Sequence, residues 1–234
     1  MNLKKIFLPF CLAFSFCLPL AQAYLPPQLG VQEAMQKARV SLAMKSVEGT
    51  LYDVYLVSDD EQYLGGKYFW AKDPYESNYQ GHYSAYLTPS GQSGTAEKQA
   101  VDFSTQRRNG TRSTTLVISG YGGNRNGFYV AQGKAGLPDI LVLTQRMTGG
   151  GSFLTTAYVI KEGSLQPLRY MNQDRHIKKG HSAGFKKLHY LDDGTFAVPW
   201  WSNARPGGGR FITVYMLDVK DLLLVEAYRM ADEE

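Results

Sequence analysis

The sequence predicts a mainly β protein, with antiparallel sheets in a propeller-like or sandwich-like arrangement and one short N-terminal helix. Three observations carry this. Beyond Gly49 the chain runs as short strand-like segments at regular spacing, with turn residues between them. Its 234 residues include 24 glycines and 16 tyrosines, a mix that suits tight turns and pleated, half-buried surfaces. Only one segment, 31–45, spaces its apolar residues by three and four.

The first 23 residues read as a secretory signal peptide. Lys4 and Lys5 supply the positive start, residues 6–20 the apolar stretch, and Ala21-Gln22-Ala23 the small-x-small cleavage site. Pro9 and Pro19 interrupt the apolar stretch, which is too short for a comfortable membrane span. Neither Cys11 nor Cys17 follows a lipoprotein pattern. Cleavage after Ala23 removes both cysteines, so the mature chain is expected to have no disulfide, thiol nucleophile or thiolate metal site. It is expected to be periplasmic or secreted, with no membrane span. The 25 basic residues less Lys4 and Lys5 leave 23 against 21 acidic ones. That balance argues against a nucleic-acid binder, which needs a strong basic excess.

Residues 24–45 read as a leader and helix. Pro26, Pro27 and Gly30 lead into Val31, Ala34, Met35, Ala38, Leu42 and Ala43 at helical spacing, with Gly and Pro absent. Residues 46–234 read as a single all-β domain. Its expected strands are 51–58, 66–72, 83–88, 100–104, 112–119, 127–131, 139–144, 153–161, 165–170, 187–191, 195–201, 211–219 and 222–230. Asp59-Asp60-Glu61 is expected to make a charged turn, 89–97 a Gly/Ser loop, and Asn109-Gly110 a tight hairpin turn.

An internal repeat is visible between 138–165 and 196–223 at an offset of 58. Gly149-Gly150-Gly151 falls on Gly207-Gly208-Gly209, Phe153 on Phe211 and Thr155 on Thr213. Two similar hairpins of any β protein would also align this way. Within residues 133–163, Asp139-Ile140-Leu141-Val142, a glycine cluster and Ala157-Tyr158-Val159-Ile160 follow one another. This order resembles a degenerate blade of the FG-GAP β-propeller repeats. The resemblance implies a propeller-like sheet. It does not carry over that family's calcium loop: Lys134, Gly136 and Leu137 occupy its positions, Asp139 alone remains, and calcium takes six or more oxygens.

Four features carry candidate chemistry. Gly180-His181-Ser182-Ala183-Gly184 matches the G-x-S-x-G nucleophile elbow, with Ser182 and His189 as the alternative catalytic pair. The flanking sequence lacks the buried strand and the helix that an elbow needs. Triads in other orders would draw on His176, His181 or His82 with Asp174 or Asp192. His176, His181 and His189 have no recognised zinc spacing, so no metal is expected, and no cofactor motif is present. Arg175, Lys178, Lys179, Lys186 and Lys187 form a basic run that suits an anion site or a solvated loop. Trp200 and Trp201 are neighbours in a strand and so point to opposite faces, one inward and one outward.

The expected function is non-catalytic binding of a protein, glycan or anionic ligand in the cell envelope, through Trp200, Trp201, Lys178, Lys179, Lys186, Lys187, Arg205 and Arg210. A secreted serine hydrolase and a structural envelope protein are the alternatives.

Overall fold

The structure is a computed structural model and describes residues 25–65, 77–106, 112–119, 127–146, 153–183, 187–202 and 208–232. The segment read as a signal peptide, the strand expected at 66–72, the turn expected at Asn109-Gly110, the first triple glycine, Lys186 and Arg205 lie outside the described residues.

The N-terminal part of the chain contains β1 (Gln28–Gly30), α1 (Val31–Lys37), β2 (Ala38–Lys45), β3 (Leu51–Val57), β4 (Gln62–Tyr63), β5 (Asn78–Gly81), β6 (Ser84–Pro89) and β7 (Thr95–Lys98). The middle holds β8 (Thr105–Gln106), β9 (Arg112–Ser113), β10 (Leu116–Ser119), β11 (Gly127–Ala131), β12 (Ile140–Arg146), β13 (Phe153–Lys161) and β14 (Ser164–Met171). Then come β15 (Ile177–Lys178), β16 (His181–Ala183), β17 (His189–Tyr190), β18 (Phe196–Ser202), β19 (Gly209–Asp218) and β20 (Leu223–Ala231). The protein is mainly β with antiparallel sheets, as the sequence predicts.

The helix is half as long as expected. It ends at Lys37, and residues 38–45 form strand β2, paired along β3. Val40, Leu42 and Met44 turn inward while Arg39, Ser41 and Ala43 face water. Ala38 and Leu42 fit both periods. The alternation through Val40 and Met44 decides for a strand, because it gives the β3 edge a partner and covers the core. The 100–104 stretch is irregular rather than a strand. Asp102 accepts a bond from the Ser104 N–H at 2.8 Å, a local turn that competes with sheet pairing. Its apolar residue Phe103 serves packing instead, edge-on to Phe128 and Tyr158 at 4.9 and 5.2 Å. The loop expected at 89–97 ends in strand β7, and the strand expected at 112–119 divides into β9 and β10.

Three apolar cores lie in series. A five-stranded sheet, β1-β7-β6-β3-β2, carries α1 on one face, with Leu29, Ala34, Tyr55, Val57, Tyr86 and Ala96 packed between them. Its other face sends Met44, Val54, Leu56, Ala85 and Leu87 against Leu141, Leu143, Tyr158 and Ile160 of β12 and β13. The opposite faces of β12 and β13 send Ile140, Val142, Ala157 and Val159 into a third core with Phe196, Val198, Tyr215 and Leu224. The β12–β13 hairpin is thus a wall shared by two cores, buried on both sides.

That hairpin belongs to a ten-stranded sheet, β11-β12-β13-β14-β20-β19-β18-β17 with β15 on β14 and β16 on β13, which curls until it is nearly closed. The β14–β20 pairing is parallel and turns the sheet back on itself. Across the remaining gap the Leu188 N–H donates to the Tyr129 hydroxyl at 2.8 Å. A small sheet, β10-β5-β4, joins the wall through Gln145, whose side chain bonds both the N–H and the carbonyl of Val117.

The two segments aligned in the sequence each contribute three strands, β12, β13 and β14 in one and β18, β19 and β20 in the other. Their strands begin at Ile140 and Phe153, and at Phe196 and Gly209. Both intervals, 196 − 140 and 209 − 153, equal 56. The triple glycines therefore align two residues out of step with the strands. Because two residues is one full strand period, the inward faces still match.

Candidate functional site

The two tryptophans of β18 point to opposite faces. Trp200 pairs with Phe211, stacks on its ring at 5.0 Å and donates its indole N–H to Thr213 Oγ1 at 2.9 Å. It shares its face with Phe196 and Val198, which line the third core. Trp201 points outward, is 46% exposed and lies across Gly208. A Cβ at Gly208 would meet the indole at 2.3 Å, and the residue also takes a φ of 72°, so only glycine seats the ring there.

The outward face extends over three strands. Trp201 pairs with Arg210, Pro199 with Ile212, Ile212 with Met230, Val214 with Tyr228 and Met216 with Val225. Met216, Tyr228 and Met230 are 54%, 44% and 49% exposed, and Val214 is buried among them. The sequence reading missed these three. The alternation along 222–230 was a usable signal, but a β-bulge beside Val214/Tyr215 changes which residues face out. The same bulge brings Glu226 and Arg229 to the inner face. There Arg229 Nη2 donates to Glu226 Oε2 at 2.8 Å, and Nε lies 2.7 Å from Oε1 as an ion pair without hydrogen-bond alignment.

The basic run is divided among different neighbours. Lys178 is exposed on β15. Lys179 donates to Asp102 Oδ2 at 3.0 Å, a carboxylate that Arg112 also bonds. Lys187 lies over the Tyr129 ring at 5.2 Å. Burial pushes the Asp102 carboxyl up, but hydrogen bonds from the Ser104 N–H, Lys179 and the Ser104 hydroxyl outweigh it and hold the group well below the usual carboxylate range.

Ser182 lies in β16, paired with Leu154 at the edge of β13. An elbow serine requires a turn between a buried strand and a helix, whereas Ser182 sits inside the three-residue strand β16 and is preceded by the two-residue strand β15. His189 Nδ1 donates to the Lys187 carbonyl at 3.0 Å. The His181 ring packs against Tyr170 and Tyr215 at 5.5 and 5.8 Å, and the His176 N–H donates to Asn172 Oδ1. Among the described residues no group of three His, Cys, Asp or Glu side chains is arranged to hold a metal. Asp139 receives the Gly133 and Lys45 N–H groups, each at 2.7 Å, and so ties the end of β2 to the loop before β12.

No protein-family model, curated protein or solved structure matches the chain.

Proposed function

We propose that the chain is an exported binding module of the cell envelope, and that the outer face of β18, β19 and β20 recognises a protein partner. The carrying observation is the cluster of exposed large apolar side chains, Trp201, Met216, Tyr228 and Met230, on one face of three paired strands. A soluble protein gains nothing by exposing such a cluster to water, and contiguous apolar surface of this kind marks interaction sites. Trp, Tyr and Arg dominate binding energy at protein interfaces, and Arg210 borders the patch. An apolar, methionine-containing face suits a protein surface better than a sugar, which needs polar groups around its stacking ring.

The test is cross-linking and pull-down from the producing cell with the wild type and a Trp201→Ala/Tyr228→Ala double variant. The double variant is expected to lose the captured partner while keeping the wild-type melting temperature. Equal capture by both proteins would refute the assignment. Export predicts a mature protein beginning at Tyr24, read by N-terminal mass mapping of the envelope fraction.

A further inference from the structure

A second constellation stands at the small sheet, in the turn and strand ends around Asp60, His82 and Thr114. The His82 Nδ1 lies 2.5 Å from Asp60 Oδ2, and its Nε2 lies 3.1 Å from Thr114 Oγ1. Asp60 also receives the His82 backbone N–H and the Ser58 hydroxyl, each at 2.8 Å on Oδ1. An ionised carboxylate only accepts, so Nδ1 donates to Asp60, and in the neutral ring Nε2 then accepts on the side of the Thr114 hydroxyl at 3.1 Å, with the Thr115 hydroxyl farther off at 3.4 Å. Burial pushes the Asp60 carboxyl up, but the bonds from the His82 ring, the His82 N–H and Ser58 lower it overall and keep it ionised.

The surrounding residues are closely bonded to one another. Gly81 has no Cβ, and one placed there would meet Ser58 Oγ at 2.5 Å and Asp60 Oδ1 at 3.1 Å. A side chain at residue 81 would crowd Ser58 and Asp60 where they meet His82, and glycine leaves that space open. The next residue of the turn, Glu61, accepts the Tyr83 hydroxyl at 2.6 Å and a two-pronged contact from Arg39. The Arg39 guanidinium in turn lies 3.6 Å over the Tyr79 ring. An ordinary surface ion pair needs none of this anchoring. His82 and Asp60 keep about half of their side-chain surface open to solvent, so an incoming molecule can reach them.

We propose that Asp60, His82 and Thr114 form an acyl-transfer site, in which Thr114 Oγ1 is the nucleophile, His82 the base and Asp60 the group that orients it. Hydroxyl, imidazole and carboxylate in hydrogen-bonded series are the general signature of an activated oxygen nucleophile. Thr114 Oγ1 attacks the carbonyl carbon of an ester and forms a new C–O bond. His82 Nε2 takes the hydroxyl proton and passes it to the leaving oxygen as the old C–O bond breaks. Water then attacks the acyl-threonine with His82 again taking the proton, which releases the acid and restores Thr114. Activated esters are the fitting substrate class, because their leaving groups need little further electrophilic help. This site is independent of the outer apolar face and of Ser182.

The experiment is incubation of the mature protein with p-nitrophenyl acetate, followed by phenolate release and peptide mapping. Expected is one acetyl group on Thr114 in protein quenched with acid during turnover, before the acyl-threonine hydrolyses, with release about a hundred-fold slower in Thr114→Val and His82→Gln and unchanged in Ser182→Ala. Acetyl found only on lysines or tyrosines, release at the wild-type rate in Thr114→Val, or loss of release in Ser182→Ala would each overturn the proposal. The wild-type peptide map needs no variant and decides the matter even if a substitution unfolds the protein.

Discussion

Gly133 has no room for a side chain: a Cβ there would lie 2.1 Å from the Leu137 carbonyl oxygen and 2.6 Å from that of Pro138. Both obstacles are backbone, so they cannot swing aside. Gly133→Ala is expected to cost about 1–3 kcal/mol, the range for overpacking, read from the urea midpoint; a neutral result would mean that the loop before β12 shifts freely. Acid stability depends on a second residue, Asp102. Its carboxyl is lowered, so the stabilisation it gives is fully present above the ordinary value of 3.8 and is lost as pH falls through the lower folded value. Asp60 and Glu61 are lowered too, each against burial that alone would raise it, and act in the same direction. The urea midpoint should therefore drop on acidification below about pH 5, and Asp102→Asn should lower it at neutral pH while flattening the acid drop. An unchanged acid slope in that variant would remove Asp102 from the account. That one of Trp200 and Trp201 faces outward was legible from strand alternation, and the structure shows it to be Trp201. The Asp102–Lys179 pair was not, because 77 residues separate its members and the sequence holds no sign of their meeting.

At the scale of elements, segment 31–45 shows how two periods can share residues. Helical spacing reads Leu42 and Ala43 as core and leaves Met44 outside, whereas the strand buries Met44 completely and exposes Ala43. Met44→Ala is therefore expected to cost about 2–5 kcal/mol, and Ala43→Ser to stay within about 0.5 kcal/mol, both by denaturant titration. The reverse order would restore the helix. The same ambiguity explains why the repeat was visible but out of step. Glycines aligned by letter carry no information on where a ladder begins, while the pairings Arg146 with Phe153 and Ser202 with Gly209 fix it. Most of the longer strands were legible because their apolar runs are bounded by Gly, Asp or Asn. The two-residue strands β4, β8, β9, β15 and β17 were not legible as such, since so short a segment has no period to read. They exist where a neighbouring edge offers them hydrogen bonds.

For the molecule as a whole, the shared wall decides how it comes apart. Residues of β12 and β13 alternate between two cores, with Leu141, Leu143, Tyr158 and Ile160 on one side and Ile140, Val142, Ala157 and Val159 on the other. All eight are fully buried, and neither core can lose this hairpin and remain closed. The sequence showed the hairpin as near-continuous apolar runs, which is the mark of strands covered on both faces. It could not show which strands supply the covers, because those come from residues 40–57 and 83–118 on one side and 168–224 on the other. Such coupling predicts one cooperative transition rather than a separate melting of the five-stranded sheet and the barrel-like sheet. In a Trp70→Phe background, fluorescence reports only strand β18, through Trp200 on the face of the third core and Trp201 on the outer face, while far-UV circular dichroism reports every strand. Leu143→Ala opens a cavity in the other core and should cost about 2–5 kcal/mol. Because the wall transmits the loss, the fluorescence and dichroism midpoints should fall together and by the same amount. A tryptophan transition that stays at the wild-type midpoint while the dichroism signal moves would separate the two cores and end the shared-wall account.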